Sequence, residues 1–428
     1  MKKNTSHNRR LHERPQRNRR AASILAVTLC LIFLLTAPVQ AAAIQRLPGG
    51  TDHIKGWPKG PKTASLSAVL MEADTGIVVY NKKMNEKRYP ASTTKIMTAL
   101  LTIENCKLDD QVTFTQTGIN EIYSNNSNIG MQVGEVLTVE QCLYALLLES
   151  ANEVATQLAE HIGGTVAGFV DMMNKRAEEL GCTGTHFNNA SGLPDENHYT
   201  TAYDLALILQ ECVKNETFLA ISGTYQYELA ATNLNPAPRP LTNHHPLIQP
   251  GPYHYDGILV GKTGYTDMSK NTLVSAAKKD DTTYVAVTLG SDIGGVINDT
   301  TNLFNYGFDN FQKIQAEDAD ILIDDGTLLV PKDTKRSDLT YEAAEENGNI
   351  RRTYRFGQKT YVGTALLKET EKTTLTTIAP SEIFKTKVQE LKETKSVVPY
   401  IVIGVLCLLI LLGIAAIISR IKSRKKRR

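Results

Sequence analysis

Strand-like runs at residues 66–71 and 77–80, joined by the turn Asp74-Thr75-Gly76, come early in the chain, and three more come late, at 257–260, 272–276 and 283–289. Between them, residues 92 to about 210 read as helix. Two lone strands are only marginally stable, and amphipathic helices need an apolar face to cover. The early and late strands are therefore expected to meet in one sheet, giving a single α/β domain over residues 64–312. Within it, Thr138-Val139-Glu140-Gln141 has the form of a capping box that opens an apolar helix running to Leu148. After Phe308 the texture changes to short apolar runs between polar turns, at 321–323, 327–330 and 373–378. This predicts a small all-β domain over 313–380, followed by a charged stalk at 381–396.

The two ends carry targeting signals. Arg9, Arg10, Arg14, Arg17, Arg19 and Arg20 precede an apolar run at 21–35, Pro38, and the small-x-small triplets Val39-Gln40-Ala41 and Ala41-Ala42-Ala43. That is the pattern of an export signal over 1–43, with an uncleaved N-terminal anchor as the alternative. Residues 44–63, with Pro48, Gly49, Gly50, Pro58, Gly60 and Pro61, read as a loose leader. Residues 397–418 hold no charge and are long enough to cross a hydrocarbon core, and the basic tail at 419–428 marks the cytoplasmic side. The body is thus expected outside a cell membrane, held by a single C-terminal span. Setting both ends aside leaves 32 basic against 44 acidic residues. An acidic body of this kind argues against nucleic acid as a partner.

Cys30 falls in the signal and Cys407 in the span, which leaves Cys106, Cys142, Cys182 and Cys212 in the body. Four thiols allow three pairings; disulfides and buried free thiols both remain open. Their spacing fits no zinc pattern. His244, His245 and His254 raise the question of a metal, but no Cys or carboxylate spacing supports one, so none is expected.

Three short boxes carry chemistry. Ser92-Thr93-Thr94-Lys95 opens a helix just after Pro90, and a spacing of three puts hydroxyl and amine on one face. The residues that follow are apolar nearly all round, so the helix should be buried, and burial pushes the Lys95 ammonium towards a neutral base. Ser150-Ala151-Asn152 lies between two helical stretches; residues two apart can aim at one site only from a connection. Lys262-Thr263-Gly264 ends the strand-like run at 257–260; a cation and a hydroxyl can grip a carboxylate, and glycine lets a ligand approach closely. Each box is weak alone. Ser419-Arg420-Ile421-Lys422 and Ser124-Asn125-Asn126 match two of them by spelling only.

Together, in chain order inside one exported body, they match the triplet of β-lactamases and penicillin-binding proteins. Pro90-Ala91-Ser92-Thr93-Thr94-Lys95-Ile96-Met97, residues 146–152, Thr185-His186-Phe187-Asn188, Gly192-Leu193, His198-Tyr199-Thr200 and Gly261-Lys262-Thr263-Gly264-Tyr265-Thr266 resemble the low-molecular-mass penicillin-binding proteins, the serine D-Ala-D-Ala carboxypeptidases. The resemblance covers residues 63 to 308 and implies a transpeptidase-like domain, an antiparallel sheet with helices, with the β domain behind it. It implies Ser92 as nucleophile, Lys95 as base, Ser150 and Lys262 relaying protons, Asn152 on the substrate amide and Thr263 on the terminal carboxylate. Backbone N–H groups of Ser92 and Tyr265, beside Gly264, would form the oxyanion hole. No cofactor is implied; the partners are peptidoglycan peptide stems, with β-lactam antibiotics as inhibitors, at the bacterial cell membrane. His186 and His198 are read as structural.

Two departures stand out. The family usually has Gly-Asn-Asp where this chain has Ala151-Asn152-Glu153, and Val296 falls where an Arg near the carboxylate is usual. The alternatives are a same-fold β-lactamase, a peptidoglycan endopeptidase or a non-catalytic penicillin sensor. No E-x-x-L-N stretch follows Ser150-Ala151-Asn152, which disfavours the first, and the intact boxes disfavour the last.

Overall fold

The computed structural model describes residues 51, 54–123, 126–316, 324, 326–357 and 360–368. The export signal, the stalk, the membrane span, the basic tail, the expected strands at 321–323 and 373–378, and Ser124 and Asn125 lie outside the described residues.

Strand β1 (Ser67–Glu72) turns into β2 (Val78–Lys82) as expected. Glu72 Oε2 accepts from the Thr75 amide and hydroxyl at 2.7 and 2.6 Å, and Gly76 takes the left-handed backbone the turn requires. A 3₁₀ turn at Ala91–Thr94 leads into α1 (Lys95–Asn105). Then follow β3 (Gln111–Thr113), α2 (Gln116–Ile119), β4 (Val136–Thr138), α3 (Val139–Leu148), α4 (Asn152–Gly163), α5 (Val166–Glu179), α6 (Ala202–Cys212) and α7 (Glu216–Ser222). The small hairpin of β5 (Gln226–Leu229) and β6 (Arg239–Thr242) precedes β7 (Ile258–Thr266), β8 (Lys270–Lys279) and β9 (Thr282–Ser291). Helix α8 (Ile293–Asn310) follows. The capping box is present: Thr138 Oγ1 accepts from Gln141 N–H at 3.1 Å, and Gln141 Oε1 from Thr138 N–H at 2.8 Å.

Early and late strands do share one sheet, in the order β2-β1-β9-β8-β7, antiparallel throughout. Both faces are buried, so side chains alternate between two cores. Val69, Met71, Val285 and Val287 face the helices, whereas Ala68, Leu70, Tyr284 and Ala286 face α8 and the aromatic cluster behind the sheet. Among the described residues from 311 onward, β10 (Phe311–Gln315) pairs with β11 (Thr327–Pro331), a 3₁₀ turn spans Arg336–Asp338, and β12 (Leu339–Glu346), β13 (Asn349–Phe356) and β14 (Thr360–Lys368) form a three-stranded sheet. The leader is not loose where it is described. Trp57 is buried, donates to Val79 O at 3.0 Å, and packs its ring 5.0 Å from that of Phe311 and 5.9 Å from that of Phe356. A single large indole with a satisfied N–H outweighs the surrounding Gly and Pro. The four thiols of the body are all free; Cys142, Cys182 and Cys212 are buried and Cys106 partly so.

Candidate active site

The three boxes converge on one cavity of about 550 Å³. Ser92, Ser150, Asn152, Thr263, Gly264 and Tyr265 line it, together with Ser127, Gly192, His244, Asp267 and Ile293. Lys95 and Lys262 stand behind this lining, 0% and 2% exposed. A second cavity, lined by Lys55, Asn310, Pro331 and Phe356 among others, contains none of the boxes.

Ser92 does not begin the α-helix proper; it sits in the 3₁₀ turn before it, with Ala91 at φ +51°. That turn is held at its entry by the Pro90 carbonyl, which accepts from Thr93 Oγ1 at 2.7 Å and Thr272 Oγ1 at 2.9 Å. The geometry of hydroxyl and amine is the expected one. Lys95 Nζ lies 3.1 Å from Ser92 Oγ, 2.7 Å from Asn152 Oδ1 and 2.6 Å from Ser191 O. Burial, then the charge of Lys262, hold the Lys95 ammonium well below the ordinary lysine range. A neutral amine has two hydrogens and one lone pair. The two oxygens of Asn152 and Ser191 only accept, so they take the hydrogens and the lone pair faces the Ser92 hydroxyl. That is the arrangement a general base for the Ser92 hydroxyl needs.

Ser150 lies at the joint between α3 and α4, and Asn152 is the first residue of α4. The bend is made by Ser150 itself at φ +60°, while Ala151 keeps φ −58°. A side chain at 151 is therefore compatible with the backbone, and the departure from Gly is harmless there. Ser150 Oγ is buried and has no hydrogen-bond partner among the described residues. Asn152 turns its oxygen to Lys95, which leaves its amide N–H groups for a ligand. The Glu153 carboxylate accepts from Ile129 N–H at 2.7 Å, and Ser127 O accepts from Asn152 N–H at 2.9 Å. These two bonds bring Ser127 to the cavity.

Lys262-Thr263-Gly264 is not at a strand end. The strand runs on to Thr266, paired with β8 throughout. Burial pushes the Lys262 ammonium down to about 7, with Glu149 opposing; its Nζ donates to Thr263 O at 3.0 Å. Val296 is fully buried in α8 and is not among the cavity residues, which Ile293 joins instead. His198 is structural: its Nδ1 accepts from Asn188 N–H at 3.0 Å, its Nε2 meets Thr94 Oγ1 at 2.8 Å, and burial lowers it to about 4. His244, His245 and His254 each have separate partners in Glu149, Ser275 and Asp256.

The loop carrying Ser191 contributes more than the sequence suggested. Asn189 Oδ1 accepts from Ser191 N–H at 3.2 Å and Gly192 N–H at 2.7 Å, which aims the Ser191 carbonyl at Lys95. Gly192 sits at φ +87° with a Cβ position only 1.9 Å from Ala91 O, so no other residue fits. The pair Gly192-Leu193 was visible as a family match; the role of Ser191 and Asn189 was not.

Comparison with known proteins agrees with this geometry. The family described as D-alanyl-D-alanine carboxypeptidase matches residues 56–293. The D-alanyl-D-alanine carboxypeptidase DacF of Bacillus subtilis is 36% identical over 300 residues, 68% of this chain and 72% of its own. The D-alanyl-D-alanine carboxypeptidase of a Streptomyces strain, K15, is 31% identical over 261 residues, 58% and 88% respectively. The crystal structure of the Streptomyces K15 DD-transpeptidase superposes with a TM-score of 0.55 at 31% identity, covering 59% of this chain and all of that one. The chain belongs to the D-alanyl-D-alanine carboxypeptidase family of serine peptidases. It is a hydrolase of the penicillin-binding type acting on D-Ala-D-Ala termini, and the fold is that of the DD-peptidases.

Proposed function

We propose that Ser92 is the nucleophile that cleaves the terminal D-alanine from peptidoglycan pentapeptide stems, with Lys95 as its base. The observation that carries this is the lone-pair geometry at Lys95 Nζ, set by Asn152 and Ser191. Ser92 Oγ attacks the carbonyl between the two D-alanines as its proton passes to Lys95. The tetrahedral oxyanion faces the backbone N–H groups of Ser92 and Tyr265. Collapse breaks the peptide bond; the proton held by Lys95 passes through Ser150 Oγ to the leaving amine, with Lys262 behind the relay, which leaves Lys95 neutral again. Asn152 holds the acyl-side amide and Thr263 the terminal carboxylate. Water then attacks the ester, Lys95 accepts the water's proton, and it returns that proton to Ser92 Oγ as the acyl–oxygen bond breaks.

The departed D-alanine leaves room for that water, whereas a ring-opened β-lactam stays tethered and blocks it. Each 1.4 kcal/mol of added barrier costs about tenfold in rate. The chain should therefore release D-alanine over many turnovers from a D-Ala-D-Ala peptide, yet be titrated by about one equivalent of penicillin. Peptide mapping should place the adduct on Ser92 alone. An adduct surviving in Ser92→Ala, or rapid penicillin hydrolysis without D-alanine release, would sink this reading.

The catalytic domain of this cell-envelope family faces outward. For this chain we propose export through residues 1–43 and anchoring through 397–418, on the strength of the charge-free run and its basic flank. Deleting 397–428 should free the processed body from the membrane fraction; a truncated chain that stays fully membrane-bound would refute the C-terminal anchor.

A further inference from the structure

Among the lining residues that the acyl-transfer machinery leaves unused is His244. Its backbone is pinned on both sides. The buried Asn243 donates to Ser222 O and Thr224 O at 2.9 and 3.0 Å. The buried His245 meets Ser275 Oγ at 2.8 Å, its ring packed where a Cβ on Gly261 would be 2.2 Å away. Between these anchors the His244 side chain stays half exposed.

His244 Nε2 lies 3.2 Å from Glu149 Oε2, and Glu149 Oε1 accepts from Thr242 N–H at 2.6 Å. Glu149 immediately precedes Ser150, and its charge acts on Lys262. The pair thus stands on the side of the cavity built by Ser150 and the Lys262-Thr263-Gly264 strand. The hydrogen bond from His244 lowers the Glu149 carboxyl against the opposing effect of its partial burial, the largest influence on it.

The charges around the rest of the cavity are few. The other ionisable lining groups are Asp267 and Tyr265, whose hydroxyl donates to Asp267 at 3.0 Å. No Arg or Lys is among the described lining residues, and Val296 is buried elsewhere. A substrate ending in a free carboxylate therefore meets a single lining side chain able to carry positive charge.

We propose that His244 is a specificity-determining residue for that carboxylate, which it binds as an imidazolium beside the Thr263 hydroxyl. An imidazolium donates from both nitrogens. With Nε2 on Glu149, Nδ1–H serves the ligand, and Glu149 offsets the charge when no substrate is present. A charge-assisted N–H to carboxylate bond is about twice as strong as a neutral one. This inference rests on the Ser92 reading of the same site.

The test compares a peptide ending in D-Ala-D-Ala with the same peptide as its C-terminal amide, on the full chain in detergent. His244→Gln is expected to lower the carboxylate-over-amide preference in kcat/KM about tenfold, chiefly through KM. His244→Arg should recover most of it. Saturation labelling with penicillin, run in parallel, should stay near one per chain in both variants and so verify the folded site. An unchanged preference in His244→Gln, or an Arg variant as indifferent as the Gln one, would overturn the proposal. Failure of penicillin to label the unaltered chain on Ser92 would instead sink the underlying reading.

Discussion

A Cβ placed on Gly264 would stand 2.9 Å from the backbone nitrogen of Ser92 and 2.5 Å from Thr272 Oγ1. Strand β7 thus presses against the Ser92 N–H proposed above for the oxyanion, and only glycine permits it. Gly264→Ala must push the strand or the Ser92 turn aside by several tenths of an ångström. A misplacement of about 1 Å costs up to about a hundredfold in well-oriented reactions, which sets the upper bound here. Acylation by labelled penicillin should slow by up to that factor in a chain that still folds. A normal acylation rate would remove the oxyanion hole from this position.

Burial and the charge of Lys262 hold the Lys95 ammonium well below the ordinary lysine range. Acylation should accordingly rise with pH through an apparent pKa well below that of a free lysine, reported by the two coupled amines together. Lys95→Arg keeps the charge but cannot give up its proton, so acylation should fall by about 10²–10⁴. The pH profile of kcat/KM and the rate of the Arg variant check this, and an active Arg variant contradicts it.

Ser150 combines a buried hydroxyl without a partner with a left-handed backbone. Removing an unsatisfied buried polar group is nearly neutral or stabilising, by about 1 kcal/mol. Ser150→Ala should therefore unfold at the same temperature as the parent or slightly higher, while turnover falls by about a hundredfold or more. Calorimetry beside D-alanine release tests both halves; a destabilised Ala variant would show that the hydroxyl is structural.

Burial lowers His198 to about 4 and His245 to about 3. Below about pH 6.5 the unfolded chain takes up protons at both sites that the folded chain refuses. Stability should therefore fall as the pH drops from about 6.5, and level off only below the folded values. Glu153 and Asp204, both raised by burial, work in the opposite direction at lower pH. In denaturant titrations between pH 6.5 and 4, His245→Asn should show a shallower loss than the parent; an equal slope would exclude its contribution.

The boxes were readable in the sequence because each is local. Ser92 and Lys95 share a face through their spacing, and Thr138 with Gln141 announces the helix that delivers Ser150. The Lys262 strand was read as ending six residues too early, because Lys262-Thr263-Gly264 spells a turn and only pairing with β8 makes it extended. Trp57 went unrecognised because its partners Phe311 and Phe356 come more than two hundred residues later. Ser191 and His244 lay beyond local reach for the same reason. Ser191 acts through a carbonyl, which every residue has, and His244 matters only because Glu149, far away in the chain, sits beside it. An acid closing an otherwise apolar helix just before Ser150 was the one signal that could have pointed there.

Val69 pairs with Val287, so the strand that opens the domain finds its inner neighbour only near the domain's end. During synthesis, helices α1 to α7 emerge before β7, β8 and β9 exist to cover. Contacts so distant in sequence form slowly, and until they form the apolar faces of those helices stay bare and prone to aggregation. The topology thereby postpones folding until the last sheet strand is made. For a polypeptide exported as proposed above, that delay keeps the chain threadable through a translocation pore, and the Ser92 turn and the Lys262 strand first meet on the far side.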